Sequence, residues 1–327
     1  MLATVKTFFC TCILLTAFSN TALETTESTG QKVTNNTILK EVRDLMNSEH
    51  QRPVKLDLWH KTVTSIKPKI AILSHGAMGS AIDYSWLAYP LAANGWVVIG
   101  MNHFGESWRY GQDNINPKAV TRFWQRTEDV TFVINSLEKI LPGAEIAADT
   151  EIVVVGHSSG GHTAAALAGV ILNMQQMINY CNSDKSPADL GCTYAKKRKI
   201  KEQITTPHSG ASSYDKRISR VIMLDQALGP AATISSLNRV NKPTLVVGSL
   251  KNDFLPFEHH AKYYATHIPS AQLVTLKQNE GHFVYLNQCD HQHRAKGVPL
   301  CKDRAGVDRK EVHKKLLGRI LAFLSRA

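Results

Sequence analysis

The sequence predicts an α/β fold: one domain built on a mostly parallel, doubly wound sheet flanked by helices. Three observations predict it. From about residue 54 onward, apolar β-branched runs alternate with amphipathic stretches, the rhythm of strand–helix units. Several runs (IAIL, WVVIGM, IVVV, VIML, TLVV) are apolar throughout, as parallel strands covered on both faces must be. The chain has 327 residues, 43% of them hydrophobic, enough to bury a large core.

The chain start is read separately. Met1 to Lys6, an apolar run from Phe8 to Phe18 and the small residues behind it predict a signal peptide over residues 1–22. The run is short of the roughly 20 residues a membrane span needs, so no integral membrane segment is expected after its removal. Residues 23–38 are Ser/Thr-rich and read as a flexible N-terminal segment. The protein is therefore expected to be exported, periplasmic or secreted.

Strands are expected at Val54–Trp59, Lys69–Ser74, Trp96–Asn102, Glu151–Gly156, Arg220–Asp225, Pro243–Gly248 and Ala271–Leu276. Helices are expected over Asp83–Asn94, Pro117–Ile140, Gly160–Met177, Ala232–Val240, Phe257–Ile268 and Asp308–Ser325, with Asn116-Pro117 opening the longest. Residues 178–216 break this rhythm and are too long for an ordinary connection. They are read as a cap-like insertion over the site.

Lys plus Arg exceed Asp plus Glu by 38 to 27, a formal charge of +11, and the run KKRKIK at 196–201 concentrates some of it. No aromatic residues interleave with that run, so it reads as a solvated face and no nucleic-acid partner is expected. Beyond the signal, four cysteines remain in two short-range pairs. They suggest disulfides Cys181–Cys192 and Cys289–Cys301, although four cysteines permit three connectivities. Zinc is the rival for CDHQH at 289–293, but the spacing matches no common module, and no metal or cofactor is expected.

The strongest chemical signal is EIVVVGHSSGG at 151–161, a buried strand entering a Gly-flanked turn and then an Ala-rich helix. Such a turn is so sharp that the residues two before and two after its apex must be tiny. Ser158 has Gly156 and Gly160 at those places, whereas Ser159 would have His157, so Ser158 is the candidate nucleophile. A serine hydroxyl needs a base to take its proton. His282 follows the last strand in Asn279-Glu280-Gly281-His282-Phe283 and completes the chain order serine, acid, histidine. His75, His103 and His157 lie near strand ends, placed to line the site, but the reading favoured for each is a hydrogen-bonded structural histidine.

Two carboxylates end strands between Ser158 and His282: Asp225 in VIMLDQALGP and Asp253 in GSLKNDFLP. Asp253 is favoured by its strand–loop–Pro–helix setting, with Asp225 as the alternative. His75-Gly76-Ala77-Met78-Gly79 after the strand KIAILS offers the N–H of Ala77 to a developing oxyanion, opposite that of Ser159.

With these residues in hand, the chain resembles the α/β-hydrolases. More closely it is similar to the bacterial predicted dienelactone hydrolases, relatives of platelet-activating-factor acetylhydrolase. The stretches that carry the likeness are ILSHGAMG, GMNHFGES, RTEDVTFVINSL, VVVGHSSGGHTA, VIMLDQALGP, TLVVGSLKNDFLP, EGHFVYL and VDRKEVHKKLLGRILAFL, spread over most of residues 69–325. The resemblance implies one α/β-hydrolase domain over 39–327 and a serine carboxylester hydrolase, with Ser158 and His282 carried over. True dienelactone hydrolases use a cysteine nucleophile, so their substrate does not transfer. The acetylhydrolase relatives hold their acid in a motif like the MLD ending at Asp225, while the wider superfamily points to Asp253. The expected function is an exported esterase for short-chain or lipid-like esters. A polyester or cutin-type hydrolase and a catalytically silent binding module are the alternatives.

Overall fold

The computed structural model describes residues 37–62, 66–193, 210–288 and 300–326. Its strands are β1 (Ile38–Asn47), β2 (Arg52–Lys61), β3 (Lys69–Ser74), β4 (Trp96–Asn102), β5 (Ile152–His157), β6 (Ile218–Leu224), β7 (Thr244–Ser249) and β8 (Ala271–Leu276). They form one eight-stranded sheet in the order β1-β2-β4-β3-β5-β6-β7-β8. β1 and β2 are antiparallel, and β3 through β8 run parallel to one another.

The apolar runs behave as buried parallel strands should. Alternate side chains point to opposite faces. Thus Ile70, Ile72, Ile152 and Val154 enter one core, while Ala71, Leu73, Val153 and Val155 enter the other. Helices α1 (Ser85–Ala93) and α6 (Arg309–Leu324) cover the second core. The first is covered by α2 (Phe123–Asn135), α3 (Ser159–Leu167), α4 (Met174–Cys181) and α5 (Ala261–His267). Every parallel strand therefore delivers its C-terminal end to one rim of the sheet, where open α/β sheets build their sites.

Strand β1 lies ahead of the first expected strand, starting where the segment read as flexible ends. ILKEVRDLMN alternates poorly because β1 is an edge strand, paired with β2 from Ile38–Lys61 through Asn47–Arg52 and largely exposed on its flank. Its order comes from backbone pairing, not from an apolar face.

The long helices prove shorter than their periodicity suggests. Asn116 caps the expected start by accepting the Lys118 N–H at 3.1 Å, but Pro117–Thr121 then forms a 3₁₀ turn in place of the first α-helical turns. The backbone breaks at Arg122 before α2 and again at Ser136 after it. The expected helix over 160–177 ends near Gly169, whose φ of 106° suits glycine, and α4 restarts behind an Asn173 cap.

Of the expected cap, residues 178–193 are ordered around a disulfide between Cys181 and Cys192. Its loop is docked on the sheet rim: Leu190 N–H donates to the Phe254 carbonyl at 2.9 Å. Buried Asp189 accepts from His260 Nε2 at 2.8 Å. The basic run at 196–201 lies outside the described residues, as do the signal peptide and Cys289. Cys301 is disulfide-bonded, and its pairing with Cys289 lies outside the described residues as well. No helix among the described residues is long and apolar enough to cross a membrane.

The disulfide closes a loop with a sequence separation of 11, which in the chain-entropy picture stabilises the fold by about 2–3 kcal/mol. Replacing both Cys181 and Cys192 with Ala should lower the urea midpoint, and the unfolding free energy by about that amount.

Candidate active site

The site is assembled at the C-terminal rim from the ends of β3, β5, β6 and β7 and the loop after β8. β5 passes through Gly156-His157 into Ser158, and α3 starts at the next residue. Ser158 sits at φ 56° and ψ −119°, a strained conformation for any residue but glycine. The glycines make the turn possible. A Cβ on Gly156 would run into the Gly160 carbonyl, and one on Gly160 into the Ser74 carbonyl of β3. Backbone bonds pin the apex: Ser158 N–H donates to the Leu224 carbonyl, and the Ser158 carbonyl accepts from Ala227, both at 3.0 Å.

His282 opens a short 3₁₀ turn after β8 and is wholly buried. Its ring stacks on Phe254 at 5.1 Å and lies tilted by 37° against His157 at 4.6 Å. Burial holds its pKa well below the usual histidine value, and the neighbouring His157 and His260 push the same way. The imidazole rests neutral.

The two candidate carboxylates take different places around this ring. Asp253 Oδ1 accepts the backbone N–H of His282 at 2.8 Å, so its carboxylate holds the main chain, not the imidazole. Gly281 is glycine for the same reason, since a Cβ there would lie 2.8 Å from Asp253 Oδ1. The carboxylate facing the imidazole is Asp225, with Oδ2 3.9 Å from His282 Nδ1. The physical cause is loop length. Asp225 follows β6 directly, at φ 41°, and stays low on the rim. Asp253 lies four residues beyond β7 and is carried past the ring to the chain behind it.

Asp225 Oδ1 accepts the Ser249 N–H at 2.8 Å, while Oδ2 has no hydrogen bond among the described residues. Burial raises its pKa to about 7, against the opposing pull of Ser249 and of the nearby polar groups of Asn252 and Tyr285. A carboxylate with a free oxygen, aimed at a neutral imidazole, is poised to meet a proton there.

Sequence reasoning missed the scaffold around this pair. His157 Nε2 lies 2.9 Å from the His282 carbonyl, an acceptor, so Nε2 must carry the proton. Nδ1 then accepts from the Tyr84 hydroxyl at 2.8 Å, and Tyr84 in turn accepts the Gly76 N–H at 3.0 Å. One directed chain thus ties the loop after β3, the elbow and the His282 loop together. Burial lowers the His157 pKa to about 3, which keeps that direction fixed.

The turn His75–Gly79 is gripped from below by a buried ion pair. Arg126 of α2 binds both Glu106 oxygens, at 2.8 and 2.6 Å, and donates to the His75 carbonyl at 2.8 Å. Glu106 takes the Met78 N–H; burial alone would raise its pKa, but Arg126 overrides this and lowers it. Ala77 lies between these two grips, and Met78 is held at φ 59°. Gly76 passes close enough that a Cβ on it would lie 3.3 Å from Ser158 Cβ.

His75 and His103, read as structural, sit in this scaffold. Ser74 Oγ, His103 and Asp129 form a second serine–histidine–aspartate line, with contacts of 2.9 and 3.1 Å. All three are sealed in the interior and Arg52 clamps Asp129, so the line braces the rim and faces no substrate. The only trace of Glu106 and Arg126 in the sequence was their place in the stretches GMNHFGES and RTEDVTFVINSL. Among the described residues, no group of three His, Cys, Asp or Glu is arranged to hold a metal ion.

No protein-family model matches the sequence, and a search of curated proteins finds no relative. Solved structures do match. A ferulic acid esterase from Streptomyces cinnamoneus superposes with a TM-score of 0.55 at 17% identity, over 90% of this chain and 91% of that one. A Klebsiella pneumoniae protein described as a dienelactone hydrolase gives 0.52 at 13% identity, over 89% and 100%. A dienelactone hydrolase-like promiscuous phosphotriesterase, P91, from metagenomic libraries gives 0.53 at 10%, over 86% and 98%. The chain shares the fold of these structures, a mostly parallel sheet flanked by helices.

Two variants test the scaffold. Gly160→Ala forces α3 off β3 and should destabilise by about 3 kcal/mol or more, read from thermal melting. Arg126→Met leaves Glu106 charged and unpaired in the interior and should cost about 3–5 kcal/mol by denaturant unfolding.

Proposed function

We propose that the protein is an exported serine carboxylester hydrolase for short-chain or lipid-like esters. The observation that supports this reading is Ser158 on its strained elbow at the sheet rim, where Asp225 Oδ2 also lies 3.9 Å from His282 Nδ1. Ser158 Oγ attacks the ester carbonyl and His282 Nε2 takes its proton. Asp225 stabilises the imidazolium through Nδ1–H. The oxyanion that forms meets the N–H groups of Ala77 and Ser159. His282 protonates the departing alcohol, and water attacks the acyl-enzyme by the same route. The reaction needs no cofactor.

The esterase and dienelactone hydrolase names among the structural neighbours support ester substrates. Export is supported by the basic and apolar chain start and by the Cys181–Cys192 disulfide, which persists in oxidising compartments.

The test is hydrolysis of nitrophenyl esters from acetate to palmitate by the wild type and Ser158→Ala. Activity that disappears in the variant, with an optimum among the shorter chains, is the expected result. Wild-type turnover no greater than the variant on every ester would retire the esterase reading in favour of a binding module.

Asp225 gives a pH dependence with a definite sign. The carboxylate must be ionised to support the imidazolium, so kcat/KM should fall as pH drops through about 7. Its folded pKa lies above the unfolded value, so the folded chain holds a proton that the unfolded chain releases. Asp225 therefore lowers stability above pH 7, and the cost fades as pH falls toward about 4. Asp225→Asn should melt higher than wild type at pH 8, by at most about 4 kcal/mol, yet lose about 10³–10⁴ in kcat. Asp253→Asn keeps an oxygen for the His282 N–H and should stay within about tenfold of wild type.

A further inference from the structure

Two groups converge on His282 Nδ1, and they ask opposite things of it. Asp225 Oδ2, at 3.9 Å, is an acceptor and needs a proton on Nδ1. Asn252 Nδ2, at 3.3 Å, is a donor and needs a lone pair there. The Asn252 amide cannot be turned round to remove the conflict. Its Oδ1 accepts the N–H groups of Phe254 at 2.9 Å and Leu255 at 2.7 Å, which fixes the NH₂ toward the ring. The nearer of the two groups is the donor.

A base that is to take a proton from Ser158 needs its lone pair on Nε2 and its proton on Nδ1. The Asn252 contact favours the reverse tautomer. Resting on the reading of Ser158 and His282 as nucleophile and base, we propose that Asn252 is a positioning residue that holds free His282 with its proton on Nε2. The base is thus kept idle until its Nδ1 turns to Asp225. Conversion is a tautomerisation through solvent. As water delivers a proton to Nδ1, Nε2 releases its own to water, and the new N–H faces Asp225 Oδ2, which lies 3.9 Å from Nδ1. Charge and atoms balance, and no other reactant takes part.

The surroundings suit such a latch. Phe254, the next residue but one, stacks flat on the imidazole with 15° between the planes, so the turn capped by Asn252 also sets the ring's face. The titratable groups facing the ring are His157 from β5, Asp225 after β6, Asp253 from the β7 loop and His260 before α5. Of these only Asp225 approaches Nδ1.

The test separates this inference from the esterase reading. Protein carrying ¹⁵N-labelled histidine is observed by NMR at pH 8, with the His282 ring signals assigned by their loss in His282→Gln. In wild type, His282 should show a protonated Nε2 and a bare Nδ1. Asn252→Asp and Asn252→Ser both keep an oxygen for the Phe254 and Leu255 amides and remove the NH₂, and in both the proton should move to Nδ1. A wild-type proton already on Nδ1, or an unchanged pattern in both variants, would overturn the proposal.

Kinetics supply the second arm. Releasing the latch raises the competent fraction, so Asn252→Ser should gain about two- to tenfold in kcat/KM. Asn252→Asp sets a second carboxylate beside the imidazole, and the acid limb of its pH profile should move up by about one to three units. A loss of kcat/KM in Asn252→Ser with an unmoved profile in Asn252→Asp marks a merely structural asparagine. If wild type hydrolyses no ester, the functional reading fails, and the spectra still decide where the proton rests.

Discussion

The contact on which everything else depends is the close approach of Gly160 to the carbonyl of Ser74. It lets the first turn of α3 lie directly on the end of β3, and no side chain fits between them. That approach bends the chain after β5 sharply enough to put Ser158 at its apex in a conformation serine would not choose. The strain persists because neighbouring structure over-determines it. β6 holds the apex through the Leu224 carbonyl, and β3 is held in place by the Arg126–Glu106 pair below its turn. A site of this kind is built backward from its packing: the helix position comes first, and the nucleophile is what is left exposed to strain.

The same rim is electrostatically dry. His75, His103, His157, His162 and His282 are all buried with pKa values lowered chiefly by desolvation. Neutral imidazoles can donate from one nitrogen only, so each network has a single allowed direction, as the Tyr84–His157–His282 chain illustrates. A positive charge formed anywhere here would be costly, with one exception. Among the described residues, His282 is the one buried histidine facing a buried carboxylate oxygen that has no hydrogen bond. Under the proposed mechanism, the poor solvation of Asp225 at rest is offset when the imidazolium forms.

How much of this was legible in the sequence depended on the range of the interaction. Ser158 could be named because its reasons are local: glycine on both sides and a strand running into a helix. His282 could be named because it follows the last strand behind a glycine. Asp225 and Asp253 could not be separated, because both end strands and the difference lies in how far the loop after β7 carries its carboxylate. Asp253 gave the stronger local signal and turned out to serve the backbone of the residue it was expected to orient. Arg126 and Glu106 were invisible as a pair, since they stand 20 residues apart and neither has a local motif. β1 escaped because an edge strand needs hydrogen bonds more than hydrophobic spacing.

Placing the carboxylate after β6 leaves the longer loop after β7 free for other work, and the structure shows what that work is. Asn252 caps the turn, Asp253 anchors the His282 main chain, and Phe254 lies flat on the imidazole. The disulfide loop then holds this segment from outside, through Leu190 to the Phe254 carbonyl and through Asp189 to His260. Through Leu190 and Asp189 the disulfide loop therefore braces Phe254, the residue that stacks on His282, and His260 beside it. A carboxylate in the loop would have bound orientation and charge into one side chain. With the charge on β6 and the orientation on the loop, either can change without abolishing the other.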